Sequence, residues 1–431
     1  MFERVKQKWF LGLVLLGAVA NVYAAKPADF HDRYQLKEVV VLSRHNIRSP
    51  LSGNGSALGK MTPHTWFAWM SGPSELSLRG GELETLMGQY FRKWLVSEHL
   101  MQENEIPSSK EMRFYANSMQ RTLATAQYFS GGMLPVANVR IEHRYKPSKM
   151  DPVFTPQLTY VSEPFKQAAL AQINQMGGDK GLTGIGENLQ DSYQLLENVL
   201  DLKDSSLARQ EGMTHFRADD TQIVLNLNAE PGMKGSLKLA NQASDAFILQ
   251  YYEEPDAKKA AFGETLSQAD WEKIARVKDV YGDVLFTAPV VAVNVAHPLL
   301  KLIQKELSLK KRKFTFLCGH DSNIGSVLAA LDVAPYEAPQ SIEKKTPIGS
   351  KLVFSKWMGK DGVEYVSIDL VYQSVDQLRN RTMLSLENPP MVLPLQLQGL
   401  TANQDGLYRL ADVQQRFTQA INAYRDLKKI K

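Results

Sequence analysis

A single cysteine, Cys318, stands among 431 residues, so the chain cannot form an internal disulfide. Its stability has to come from an apolar core, and 44% apolar residues over this length are ample for one large domain or two. Cys318 follows Phe314-Thr315-Phe316-Leu317 and reads as a buried strand residue, not an exposed thiol. Histidine is scarce too, with eight in all. Most, including His64, His143 and His297, are scattered without metal-ligand spacing, so neither a metal nor another cofactor is expected. Charge of one sign is missing as well: the net charge is +4, which gives no case for nucleic acid or an anionic membrane surface. Internal repeats and low-complexity linkers are absent. No apolar run reaches the roughly 20 residues that cross a bilayer.

The longest apolar run, residues 9–20, lies behind a basic start made by Arg4, Lys6 and Lys8. Val22 and Ala24 then occupy small-residue positions. This is the pattern of a cleaved export leader over residues 1–24, leaving no membrane anchor in the mature chain. Losing its one acidic and three basic residues takes the net charge from +4 to +2.

Residues 39–42, Val-Val-Val-Leu, predict a strand buried on both faces, followed by a polar, glycine-containing loop over 44–60. From Ser77 the apolar positions Leu83, Leu86, Met87, Tyr90, Phe91 and Trp94 form one helical stripe. Residues 112–116 suggest a second strand. Asn117 and Ser118 are the expected caps of a helix that runs to Phe129 and stops at Gly131-Gly132. Strand texture returns at 314–317, ahead of a helix over about 323–331, and 351–357 with 364–372 read as a hairpin turning at Lys360-Asp361-Gly362. The stretch 150–282 is more polar and glycine-interrupted, with helical patches at 192–200 and 243–252. The expected fold is α/β: a core of residues 25–149 and 283–431 with a mainly parallel sheet, and an inserted, mainly helical unit of residues 150–282 over the site.

In such sheets ligands gather beyond the carboxyl ends of the strands. Three loops meet that rule. The first reads Arg44-His45-Asn46-Ile47-Arg48-Ser49-Pro50, an imidazole between two guanidiniums at the end of a buried strand. Charge placed there needs a partner, and arginine forks suit phosphate oxygens. The second holds Arg121 near a helix N-terminus, which favours anions. The third holds His320-Asp321 between strand and helix, a pair that either caps the helix or acts in chemistry.

Together these residues resemble the histidine acid phosphatases, whose signature is Arg-His-Gly-x-Arg-x-Pro with a distant His-Asp pair. The resemblance covers nearly the whole mature chain and is closest to the bacterial periplasmic glucose-1-phosphatase branch, which shares Asn46 after the histidine. Ala116-Asn117-Ser118-Met119-Gln120-Arg121-Thr122 and Gln250-Tyr251-Tyr252-Glu253 fit that branch as well. It implies a three-layer, phosphoglycerate-mutase-like core, a periplasmic location and a small phosphate monoester as substrate. It also implies His45 as nucleophile and Asp321 as proton donor, with Arg44, Arg48, Arg121 and His320 on the phosphate. Glu230, in Glu230-Pro231-Gly232, would line the pocket and bind the sugar. Asn46 departs from the glycine of the broad signature, and asparagine tolerates unusual backbone angles. The scarcity of cysteine departs from periplasmic relatives, which usually have several disulfides. Two alternatives stay open: a broad acid phosphatase or phytase on the same scaffold, and an exported sugar-phosphate-binding protein without turnover.

Overall fold

The computed structural model describes residues 26–52 and 56–430. The leader expected at residues 1–24 lies outside them. Among the described residues the strands are β1 (Tyr34–Arg44), β2 (Met112–Ala116), β3 (Gln222–Val224), β4 (Gly232–Lys234), β5 (Phe314–Gly319), β6 (Lys351–Gly359), β7 (Glu364–Tyr372), β8 (Met391–Pro394) and β9 (Tyr408–Arg409). One sheet runs β2-β5-β1-β6-β7-β8, with β9 on the edge of β7; β3 and β4 form a separate ribbon. The α/β class is as expected. Its parallel part is the trio β2, β5 and β1, to which β6 to β9 are added antiparallel. The β6–β7 hairpin closes where Gly362 takes a positive φ of 76°.

Three layers follow from the alternation of β1. Val39 and Val41 face one way, into a cluster with Met87, Phe91 and Phe129 from helices Leu78–Ser97 and Gln120–Met133. Val40 and Leu42 face the other, against Leu299, Ile324 and Phe417 from helices Pro289–Glu306, Asp321–Ala330 and Leu410–Asp426. All four β1 side chains are fully buried, which explains the unbroken apolar run. A further cluster joins the middle helices, with Phe165, Tyr193, Phe247 and Trp271 at its centre. Cys318 packs inside the sheet, and burial pushes its thiol up.

Two local expectations around Gln120–Met133 need correction. The helix does not stop at Gly131-Gly132. A Cβ on Gly132 would lie 2.2 Å from the Thr85 carbonyl oxygen, and one on Gly88 would lie 2.1 Å from that of Phe129. These glycines let two helices touch, so the helix continues to Met133. Nor do Asn117 and Ser118 cap it: the N-cap is Met119, without a side-chain cap bond, because the Asn117 amide is engaged elsewhere. The Asp321–Ala330 helix also begins two residues earlier than expected.

A buried ion pair fixes the end of β1 and the start of β6. Lys351 Nζ donates to Glu84 at 2.9 and 3.0 Å, to Ser43 Oγ at 2.9 Å and to the Gly349 carbonyl at 2.8 Å. Both side chains of the pair are fully buried. Lys351→Met would leave the Glu84 carboxylate without its cation. We expect a loss of about 3–5 kcal/mol, seen as a lower urea midpoint with unchanged slope.

Candidate active site

The register sets Arg44 beside Gly319 and Ala116 beside Cys318, so β1, β5 and β2 end together. Each releases one of the three candidate loops. The first is pinned from two sides: the Ser77 N–H donates to the Ile47 carbonyl at 2.9 Å, and His45 N–H donates to Gly319 at 3.1 Å.

His45 is buried, and its Nδ1 lies 2.8 Å from the Asn46 carbonyl. A carbonyl only accepts, so Nδ1 carries the proton and Nε2 keeps a free lone pair. Burial, then Arg48, Arg121 and Arg44, hold the imidazole well below its usual 6.5. It is therefore neutral and nucleophilic in acid.

His320 has the opposite tautomer. Asn117 Oδ1 accepts from the Ser118 and Asp151 N–H groups, both at 2.9 Å, which turns its Nδ2 toward His320 Nε2 at 2.7 Å. Nε2 accepts, so Nδ1–H is the donor left to His320. Burial and Arg121 lower its pKa to about 3, so it also stays neutral.

Asn46 is not in the left-handed region, contrary to the reason expected for it. Its Oδ1 accepts from Ile47 N–H and its Nδ2 donates to Glu84, both at 2.8 Å. The side chain thus ties the signature loop to the Glu84–Lys351 pair. Gly349 makes room for it: at φ 67°, a Cβ there would fall 2.5 Å from Asn46 Nδ2.

The arginines Arg44, Arg48 and Arg121 share one feature. Each keeps a buried Nε without a hydrogen-bond partner among the described residues. Arg44 donates to Glu343 and to the Thr346 carbonyl, both at 2.6 Å. Burial opposes its charge, but Glu343 and Asp321 more than offset this. Arg48 donates to Asp245 at 3.2 Å. Burial, then Arg48, bring Arg121 down to about 10. Buried donors left open on clustered cations call for an anion.

Asp321 accepts from the Ser322 N–H at 2.8 Å and from Lys278 Nζ at 2.7 Å. Burial disfavours its charge, yet Lys278 and Arg44 hold it well below 3.8. The free site therefore contains a carboxylate, not a ready acid.

His45, Arg48, Arg121, His320, Asp321 and Glu230 line one cavity of about 490 Å³. Arg44 stands behind them, its Nη2 3.9 Å from Asp321. Glu230, in the loop between β3 and β4, is exposed at the rim. Enclosure by the pocket walls, then Asp321, raise its pKa, while Arg121 pulls it down.

The sequence reading missed Lys278, Asp245, Glu343 and Asn117. Lys278 carried a usable signal. On its helix, Gln268–Phe286, it lies four residues after Ile274 and seven before Leu285, both buried. A lysine in an apolar stripe needs a buried partner. Glu84 carries the same signal, three residues before Met87 and seven before Phe91.

The model of the histidine phosphatase superfamily (branch 2) matches residues 35–373. A glucose-1-phosphatase of Salmonella typhimurium is 38% identical over 404 residues, covering 93% of this chain and 96% of the relative. A glucose-1-phosphatase of Providencia rettgeri is 40% identical over 392 residues, covering 90% and 92%. The apo Hafnia alvei phytase structure superposes with a TM-score of 0.83 at 25% identity, over 92% of this chain and 99% of that one. With the signature loop at the end of β1 inside the matched region, the chain belongs to branch 2 of the histidine phosphatase superfamily.

Proposed function

We propose that glucose 1-phosphate is the substrate of this phosphoric monoester hydrolase, cleaved through a phosphohistidine on His45. One observation carries the reading: three arginines present unpartnered buried Nε donors around a neutral imidazole whose Nε2 is free. His45 Nε2 forms the P–N bond as the bond from phosphorus to the leaving oxygen breaks. Arg44, Arg48, Arg121 and the His320 Nδ1–H hold the non-bridging oxygens.

The leaving oxygen needs a proton, and Asp321 is ionised in the free site. A phosphate monoester carries one below its second pKa of about 6. The substrate monoanion brings that proton, and Asp321 relays it to the leaving oxygen. In the second half, Asp321 takes a proton from water as its oxygen attacks phosphorus and the P–N bond breaks.

The substrate class rests on charge. Beyond the arginines, Asp279, Asp283 and Glu230 line the cavity, with Lys345 as the cation left to meet a further phosphate. Burial raises Asp279 to about 7, so in acid its carboxyl can donate to a hydroxyl, and burial lifts Asp283 as well. That wall suits one phosphate on a hydroxyl-rich ring and leaves further phosphates short of cations. The likeness to a phytase keeps inositol phosphates as the second reading. We also propose the periplasm as the compartment, from the leader-like composition of residues 1–24, and residues 150–282 as the unit that supplies the pocket's outer wall. Glu230, Asp245 and Lys278 all come from that stretch.

Purified protein should release phosphate continuously from glucose 1-phosphate at acid pH; stoichiometric binding without release would mark a carrier protein instead. Glu230→Ala should lower kcat/KM for glucose 1-phosphate about ten- to a hundredfold, the cost of one charge-assisted hydrogen bond. Aryl phosphates, lacking the hydroxyls, should be spared. An unchanged ratio between these substrates and inositol hexakisphosphate would make Glu230 an ordinary turn residue.

A further inference from the structure

Four charged side chains close a ring behind the site. Arg44 Nη1 donates to Glu343 Oε2 at 2.6 Å, and Lys278 Nζ lies 3.3 Å from that oxygen. Lys278 Nζ also donates to Asp321 Oδ2 at 2.7 Å, and Arg44 Nη2 returns to it at 3.9 Å. Cation and anion alternate around the ring. Glu343 is fully buried, its second oxygen taken by the Ile348 N–H at 2.9 Å. Arg44 and Glu343 are thus immobilised, and Lys278 is the member that comes from the middle stretch of the chain.

We propose that Lys278 is a positioning residue for the reaction: its ammonium orients the Asp321 carboxylate and sets the pH range over which that carboxylate can hold the transferred proton. The proposal rests on the reading of Asp321 as the proton relay. A carboxylate with one oxygen on a backbone N–H and the other on an ammonium cannot rotate freely. Orientation alone is worth much in proton transfer, because the donor must reach the leaving oxygen at hydrogen-bond distance.

The electrostatic part has a definite sign. Asp321 is faced by Arg44 and His45 from the end of β1, by His320 beside it, and by Arg121 from its helix. Glu230 and Tyr281 face it from the pocket wall, and Lys278 from Gln268–Phe286. Lys278 has the strongest charge effect on it, ahead of Arg44. When phosphate binds, Arg44 and Arg121 turn part of their field to the ligand, which leaves Lys278 as the cation dedicated to Asp321. Lys278 itself keeps its charge despite burial and Arg44, because Asp321, Glu343 and Asp245 favour it.

Removing the ammonium raises the proton affinity of Asp321, so the relay stays protonated to higher pH. In Lys278→Met the alkaline limb of kcat for glucose 1-phosphate should move up by about 1–3 pH units, the usual effect of one close charge. The limb for an activated aryl phosphate, whose leaving group needs no proton, should stay in place. Lys278→Arg should keep the wild-type limb. If Lys278→Met is not recovered folded, Lys278→Gln gives the same reading with a neutral donor. Equal losses on both substrates with unmoved limbs, together with leaving-group dependence in Asp321→Asn, would overturn the role of Lys278 alone. Equal losses in Asp321→Asn would instead overturn the relay on which the proposal rests.

Discussion

His45→Ala should lower turnover of every phosphate monoester by about 10⁴- to 10⁶-fold, the scale seen when a covalent nucleophile is removed. The size follows from geometry. His320, the other imidazole at the site, has its Nε2 occupied by the Asn117 amide at 2.7 Å and offers only an N–H. It can bind phosphate but cannot attack it. Ser49 and Ser322 flank the site loops, but a neutral hydroxyl without a base is a poor nucleophile at acid pH. Arg44, Arg48, Arg121 and His320 remain in the variant, so inorganic phosphate should still bind in calorimetry while chemistry is lost. Rapid quench of the wild type should trap acid-labile phosphate on His45. Label on a serine or aspartate would remove His45 from the nucleophile's place.

A neutral His45 is what the proposed reaction needs in order to run in acid. Three guanidiniums and burial all act against its protonation. An isolated histidine would be mostly protonated at pH 5 and could not attack. In the proposed reaction, the same arginines that bind phosphate keep the nucleophile in its reactive form.

The core strands were legible because each is buried on one or both faces. The run 39–42 is apolar throughout, as a strand between two helical layers must be. The hairpin of β6 and β7 was legible from alternation and from Gly362. Glycine misled where it served packing and not termination: Gly132 continues its helix because Thr85 presses on it. Asn117 misled for a related reason. An asparagine before a helix is a good cap, but here its amide sets the tautomer of His320, 203 residues away. Partners that distant leave no local trace. The same holds for Arg48 with Asp245 and for Lys278 with Asp321. What the sequence did carry was the mismatch itself, a lone charge in an apolar stripe, as with Glu84 and Lys278.

Asp321→Asn should separate substrates by their leaving groups. Glucose 1-phosphate should lose about 10²- to 10⁴-fold in kcat, the usual contribution of a positioned proton donor. The amide keeps an acceptor for the Ser322 N–H, so the helix start and the loop should hold. It cannot take a proton from the phosphate and pass it on, so a sugar oxygen must depart as a high-energy alkoxide. A nitrophenolate departs readily without help, so its loss in kcat/KM, which reports the first step, should stay near tenfold or less. Part of that loss comes from Lys278, whose ammonium is left with Glu343 at 3.3 Å as its counter-ion. This shared effect falls on both substrates and cancels in their ratio. The burst of phosphoenzyme sharpens the test, because the second step is common to all substrates. With the aryl ester, dephosphorylation by water needs Asp321 as base, so the variant should accumulate more phosphohistidine than the wild type. With glucose 1-phosphate the first step should become limiting, and no intermediate should build up. Equal losses on both esters, with no accumulation from either, would assign Asp321 to binding and leave the proton to solvent.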